Sequence, residues 1–184
     1  MNRLDSTGLK RLHREWRRRG HGRLALVLDR VQNPLNVGAI ARTAAAERVE
    51  HVYLGGGASP EEPKAAKTSM GTERYLSWSR FDDPAAALEA ARADGYRIVG
   101  VELATQARPL HELDLTGPVA LVVGNEDHGL STVTLDGCDA VGFIPQLGRV
   151  GSLNVAAAAA IAMYEARRQQ WTQGPARTSW SVRG

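Results

Sequence analysis

The sequence predicts an α/β fold, a parallel sheet flanked by helices, and three observations carry that reading. Apolar runs of strand length alternate along the chain with stretches of helical length, the order that gives parallel strands joined by crossover helices. Residues 24–28 form a continuous apolar run, as expected of a strand buried on both faces. Three Gly-flanked polar clusters each follow a strand-like run: residues 33–44 (NPLNVGAIARTA), residues 124–131 (GNEDHGLS), and residues 144–148 (IPQLG) with 151–156 (GSLNVA). A strand that ends in a Gly-rich polar turn and enters a helix is how α/β proteins build ligand sites. Three of them predict one composite site assembled at strand ends.

The elements follow in order. Residues 9–19 read as a helix, with Leu9, Leu12 and Trp16 on one face and a basic opposite face, ended by Gly20 and Gly22. A strand at 24–28 leads to a helix at 36–47 and a strand at 49–54. Gly55, Gly56 and Gly57 open a loop or short helix reaching Ser69. A short strand is expected at 75–78. Asp83 is a cap and Pro84 the first residue of a helix running to Ala93. Strands are expected at 96–103, 119–123 and 140–144. Ser152 is expected to cap a long Ala-rich helix ending near Trp171, with Asn154 in its first turn. The Gly/Pro/Ser/Arg-rich tail from Thr172 is expected to be loose. The chain thus divides into a basic helical extension at 1–23, one domain at 24–171 and a flexible tail at 172–184.

Composition narrows the class. A hydrophobic fraction of 43% suffices for a normal core. Cys138 is the single cysteine, so no intramolecular disulfide framework is expected. The chain has no uninterrupted apolar stretch long enough to span a bilayer, and its start is polar and Arg-rich, unlike a secretory signal. A cytoplasmic protein without a membrane partner is expected. The net charge of +3 hides a stronger asymmetry, because residues 1–23 carry eight Lys or Arg against two acids. Residues 166–184 add four Arg and no acid, which leaves the body net acidic. Basic ends on an acidic body are the pattern of arms for a polyanion, and Trp16 within the Arg run suits base stacking. The competing reading is a terminal helix that is basic only for solubility.

Each cluster offers specific chemistry. Asn33 and Asn36 flank a turn, and Arg42 lies loosely on the same helical face as Asn36. An Arg there suits a phosphate, which its planar fork binds bidentately, or is a plain surface residue. Glu126, in a Gly-bounded turn after a buried strand, can orient a hydroxyl, accept a proton or bind Arg42; the alternative is a solvated loop acid. Asp127 and His128 read as loop residues. Gly148 and Gly151 let backbone pass close to a ligand at the start of the last helix. The chain lacks the GxGxxG, GxxxxGK[ST] and GxSxG patterns and any zinc spacing, which excludes the ordinary dinucleotide, P-loop, hydrolase and zinc-site readings.

Taken together, the three clusters resemble the three motifs, in order and spacing, of the SpoU (TrmH-like) 2′-O-ribose RNA methyltransferases of the SPOUT class, over residues 24–170. The resemblance implies a parallel sheet with a C-terminal trefoil knot, a homodimer, and S-adenosylmethionine as methyl donor to a ribose 2′-hydroxyl. It implies a catalytic set of Asn36, Arg42, Glu126, Ser152 and Asn154, with Arg42 acting across the dimer interface. It implies a cofactor site at Leu103, Ala104, Gly124, Asn125, Ile144, Pro145, Leu147 and Leu153, held largely by backbone. The family often assigns the counterpart of Arg42 as the base. A guanidinium is a poor base, so binding phosphate and stabilising the developing alkoxide is the physically preferred role. The chain has too few residues before the first strand for the separate N-terminal substrate domain of many relatives. Its terminal helices resemble the extensions of tRNA-acting members, whose best-known target is a D-loop guanosine. Lys10, Arg11, Arg14, Arg17, Arg18, Arg167 and Arg168 are accordingly the expected RNA contacts. tRNA is expected over rRNA, with no DNA partner; the alternatives are an rRNA enzyme, a base-nitrogen methyltransferase or a non-catalytic RNA-binding module.

Overall fold

A computed structural model describes residues 3–19 and 22–172. The chain runs α1 (Ser6–Arg17), β1 (Leu24–Asp29), α2 (Pro34–Ala46), β2 (His51–Gly55), α3 (Pro63–Ser69), a 3-10 turn (Thr72–Tyr75), β3 (Trp78–Phe81), α4 (Pro84–Ala93) and β4 (Arg97–Val101). It continues through β5 (Arg108–Pro109), a second 3-10 turn (Leu110–Glu112), β6 (Val119–Val123), α5 (Thr132–Asp136), β7 (Ala140–Phe143) and α6 (Val155–Thr172). The strands form one sheet in the order β3-β2-β1-β6-β4-β7-β5, and every pairing is parallel.

The continuous apolar runs follow from burial on both faces. Leu24, Leu26 and Leu28 of β1 join Leu121 and Val123 of β6 in a core under α2 and α6. The alternate residues Ala25, Val27, Ala120 and Val122 face a second core with Ala87, Leu88 and Ala91 of α4. Gly38 sets how closely α2 meets α3, because a Cβ there would lie 2.1 Å from the Ala65 carbonyl oxygen. Among the described residues no helix is long and apolar enough to cross a membrane.

Several expectations shift in detail. α1 starts earlier than expected, because the Asp5 carboxylate accepts the Gly8 N–H at 2.7 Å and caps it. The strand expected at 75–78 begins only at Trp78, since Thr72–Tyr75 coils into a 3-10 turn behind the left-handed Met70 and Gly71. α5 and β5 were not expected. Of the tail, Thr172 closes α6, and residues 173–184 lie outside the described residues, as does Gly20.

Candidate active site

The neighbouring strands β1 and β6 end side by side, so their loops meet. The β1–α2 loop is fixed by Asn33, whose side chain accepts the Leu35 N–H and caps α2, with Pro34 in the first turn. The loop after β6 is a tight turn in which Asn125 and Gly129 exchange backbone hydrogen bonds of 3.0 and 2.9 Å. Gly124 is required there, as a Cβ would fall 2.2 Å from the Gly129 carbonyl carbon. The Asn125 side chain accepts from the Asp127 and His128 N–H groups and donates to the Arg30 carbonyl at 2.9 Å. That side chain is committed to the loop, so Asn125 can serve a cofactor only through its backbone.

Glu126 projects from this turn into the β1–α2 loop. Its carboxylate accepts from the Gln32 N–H at 3.0 Å, the Asn33 N–H at 3.0 Å and the Asn36 amide at 2.9 Å. The Asn36 carbonyl oxygen in turn accepts from the Asn154 amide at 3.0 Å. Asn154 caps α6, its side-chain oxygen accepting the Ala156 and Ala157 N–H groups. The expected cap at Ser152 is therefore corrected. The first helical bond runs from Ala158 N–H to the Asn154 carbonyl, which leaves Ser152 exposed in the preceding loop. A relay Glu126–Asn36–Asn154 thus ties all three sequence clusters together.

Partial burial pushes the Glu126 carboxyl up, but the hydrogen bonds from Asn36, Gln32 and Asn33 outweigh it and hold the group below its ordinary value. Such a carboxylate is charged at neutral pH and a weak base. Its chemistry is orientation.

Arg42 is elsewhere in the protomer. At about 100° per residue it lies about 120° around α2 from Asn36. It lines a separate groove of about 980 Å³ with His13, Trp16, Arg17, Tyr75 and Trp171. The Glu126–Arg42 pairing weighed from sequence is not formed, because the Glu126 oxygens are taken up by the β1–α2 loop and Asn36.

Most of the expected cofactor residues follow neighbouring strand ends. β4 lies between β6 and β7, so Leu103 and Ala104, Gly124, and Ile144 and Pro145 follow three adjacent parallel strand ends. Leu147 and Leu153 lie in the loop between β7 and α6. Leu103 and Leu147 are exposed apolar side chains. Between Pro145 and Leu147 in the third cluster, the Gln146 amide oxygen is buried without a hydrogen-bond partner among the described residues. Exposed leucines beside an orphaned acceptor fit an adenosyl group, which combines an apolar ring with N–H donors.

The terminal basic residues separate into two kinds. Lys10, Arg11, Arg14, Arg17 and Arg18 are exposed on and just after α1. Trp16 packs edge-on against Trp171 at 5.0 Å, which docks α1 on α6. Arg168 is exposed and pairs with Glu165 through two bonds of 2.7 and 2.8 Å. Arg167 is corrected from RNA contact to internal clamp. It is 6% exposed and donates to the carbonyls of Glu47, Arg48 and Gly22 and to the Gln170 side chain, each at 2.7 Å.

Residues 23–164 match the model of the SpoU rRNA Methylase family. The 23S rRNA (guanosine-2′-O-)-methyltransferase RlmB of Acinetobacter baylyi is 38% identical over 149 residues, 80% of this chain and 60% of that protein. The SpoU methyltransferase AviRb of Streptomyces viridochromogenes, solved in complex with AdoMet, superposes with a TM-score of 0.74 at 33% identity, over 82% of this chain and 61% of that one. The TrmH/SpoU tRNA modifying enzyme of A. aeolicus gives a TM-score of 0.76 at 31% identity, over 90% and 85% of the two chains. The chain spans little more than half the length of the curated relatives it matches. With a family model matched across most of its length and the three clusters joined at one sheet edge, the chain belongs to the SpoU rRNA methylase family.

Proposed function

We propose that this chain is an RNA ribose 2′-O-methyltransferase using S-adenosylmethionine. The observation that carries the reading is the relay from Glu126 through Asn36 to Asn154. It fixes polar side chains from three distant segments beside the strand ends that Leu103, Gly124 and Ile144 follow. The family match and the likeness to a structure solved with AdoMet support the cofactor assignment.

When bound, the cofactor supplies a methyl group already activated on a sulfonium. The protein's task is then to position a hydroxyl in line with that carbon and to handle its proton. The ribose 2′-oxygen forms the new O–C bond as the C–S bond breaks, and its proton leaves to solvent or to the RNA phosphate. Asn36, held at both ends of its amide, orients the ribose. Arg42 binds the adjacent phosphate and stabilises the developing alkoxide. Ser152, exposed before α6, supplies a hydroxyl at the same rim. The trefoil knot belongs to this reading, and insertion of β6 between β1 and β4 supports it.

The active form in this reading is a homodimer whose sites each take Arg42 from the second subunit. The separation of Arg42 from Asn36 within one protomer supports it, as does the exposed stripe Ala157, Ile161 and Tyr164 on α6. Mixing R42A and E126A subunits tests it. Random reassortment places Arg42 and Glu126 together in one site of each mixed dimer, restoring about a quarter of wild-type activity. If Arg42 acts within its own protomer, the mixture stays as inactive as the single variants.

tRNA is the substrate class favoured here. The likeness to a tRNA modifying enzyme covers 90% of this chain, a larger share than the family match over residues 23–164. The rRNA reading stands second, on the 38% identity to a 23S rRNA enzyme. In either case each phosphate contact from α1 steepens the salt dependence of binding. Changing Arg14 or Arg18 to Ala is expected to reduce the slope of log K against log salt by about 0.7 to 0.9 each. An unchanged slope contradicts a phosphate role for α1.

A further inference from the structure

The groove that holds Arg42 is cationic and aromatic at once. α2 contributes Arg42, Arg48 and the small Ala45 and Ala46, α1 and α6 contribute Trp16 and Trp171, and the 3-10 turn contributes Tyr75. Its volume of about 980 Å³ lies at the upper end for small-molecule sites, roughly 300 to 1,000 Å³. Of the two carboxylates that line it, Glu50 is paired with Arg23 at 2.9 Å and accepts from the Tyr96 hydroxyl. Arginines beside aromatic rings are how proteins hold single-stranded nucleic acid, the phosphates on the cations and the bases on the rings. The rings here differ in availability. Trp16 packs edge-on against Trp171 at 5.0 Å and carries the Arg19 guanidinium 4.6 Å from its ring centre. Trp171 also meets Tyr164 edge-on at 5.6 Å, so both indoles are engaged in docking α1 on α6. Tyr75 is 67% exposed. The Arg74 guanidinium lies 4.8 Å over its ring and donates to its hydroxyl at 2.9 Å. The turn beneath is fixed, because the Thr72 hydroxyl donates to the Ser69 carbonyl at 2.6 Å, the Ser69 hydroxyl donates to Glu73, and Leu76 packs against the core. Tyr75 is thus an open ring, held in place, in the same groove as Arg42.

We infer that Tyr75 is a base-stacking residue, and that this groove receives the unpaired base of the nucleotide adjoining the phosphate that Arg42 binds. The inference rests on the ribose methyltransferase reading and adds a requirement on the substrate, which must be single-stranded at that neighbour. Arg42 and Tyr75 line one groove, so a phosphate held on Arg42 brings its own sugar and base to the ring. Every base has a π face, so a stacking subsite tolerates any sequence and selects for an unstacked strand. A base inside a helix is stacked on both sides and offers no free face. The Arg74 guanidinium on the Tyr75 ring strengthens the platform by cation–π attraction.

Binding of oligouridylate to the full chain tests the inference, with an abasic strand of the same length and charge and a fully paired RNA duplex as controls. Y75A is expected to weaken oligouridylate binding roughly 5- to 100-fold, the range for losing one base–aromatic stack. Y75F keeps the ring and is expected to bind like the wild type. The abasic strand and the duplex offer phosphates alone, so their binding is expected to be unchanged in Y75A, as is the salt slope. Wild-type oligouridylate affinity in Y75A, or an equal loss for the abasic strand, overturns the inference. So does a Y75A chain that keeps its RNA affinity and loses self-association, which would assign the groove to a second copy of the chain. Methyl transfer to RNA is measured on the same preparations. Transfer with the KM for RNA unchanged in Y75A overturns the groove assignment alone. Ring-dependent oligouridylate binding without any transfer supports the groove and counts against the catalytic reading.

Discussion

Replacing Glu126 with alanine is expected to lower kcat for methyl transfer about 100- to 1,000-fold while leaving cofactor affinity within about twofold. The carboxylate is the shared acceptor for the Gln32 N–H, the Asn33 N–H and the Asn36 amide. Its loss frees the first turn of α2 and lets Asn36 rotate away from Asn154. E126Q keeps the shape and is expected to be intermediate, because its amide end meets N–H donors where a carboxylate oxygen had accepted. The pH dependence has a defined sign. The folded carboxyl titrates below its ordinary value of 4.5, so its contribution is fully present above that value and fades as the pH falls through the lowered one. An acid limb near neutrality in the wild-type rate profile would therefore belong to another group. A kcat within threefold of wild type in E126A would remove the relay from the mechanism.

Arg167→Met is expected to destabilise the fold by about 3 kcal/mol, read as a fall in Tm of ~6–12 °C. α2 ends in a Schellman-type turn, with Val49 N–H bonded to the Ala44 carbonyl and Arg48 N–H to that of Ala45. Arg48 there adopts φ 53°, a left-handed conformation that costs a non-glycine residue about 1 kcal/mol. The Arg167 guanidinium satisfies the Glu47 and Arg48 carbonyls beside that turn, and the Gly22 carbonyl before β1. Methionine keeps the bulk and leaves four acceptors, these three carbonyls and the Gln170 side-chain oxygen, without their donor. α6 carries Asn154 at one end and Arg167 near the other, so the clamp also sets how α6 lies on α2. Thermal unfolding should show the loss, while the salt slope of RNA binding stays unchanged. An unchanged Tm with a slope smaller by about 0.7 to 0.9 would restore Arg167 as a phosphate contact.

The two arginines at the end of α6 show where sequence reasoning stopped. Arg167 and Arg168 are adjacent and alike in an Ala-rich helix. Only the packing of α6 against the α2–β2 corner buries one and leaves the other beside Glu165. The parallel sheet and its strand ends were legible because β1 and β6 are buried on both faces and so read as unbroken apolar runs. α5 and β5 were not, being too short to show a period. Asn36, Glu126 and Asn154 stood out as polar residues in glycine-flanked turns, and the structure joins them. Their neighbour Ser152 was misread as the cap because Ser and Asn both favour that position, and local sequence does not rank the two. Gln146 stood inside the third cluster with no role assigned to its side chain; the structure adds a buried side-chain oxygen without a donor among the described residues.

The most direct test of the central claim is transfer of labelled methyl from S-adenosylmethionine to separately purified tRNA and rRNA, with the product digested and the modified nucleotide mapped. The account predicts label on a ribose, recovered in nuclease-resistant dinucleotides, and lost in E126A. Label on a base nitrogen, or cofactor binding with no transfer to either RNA, would contradict it.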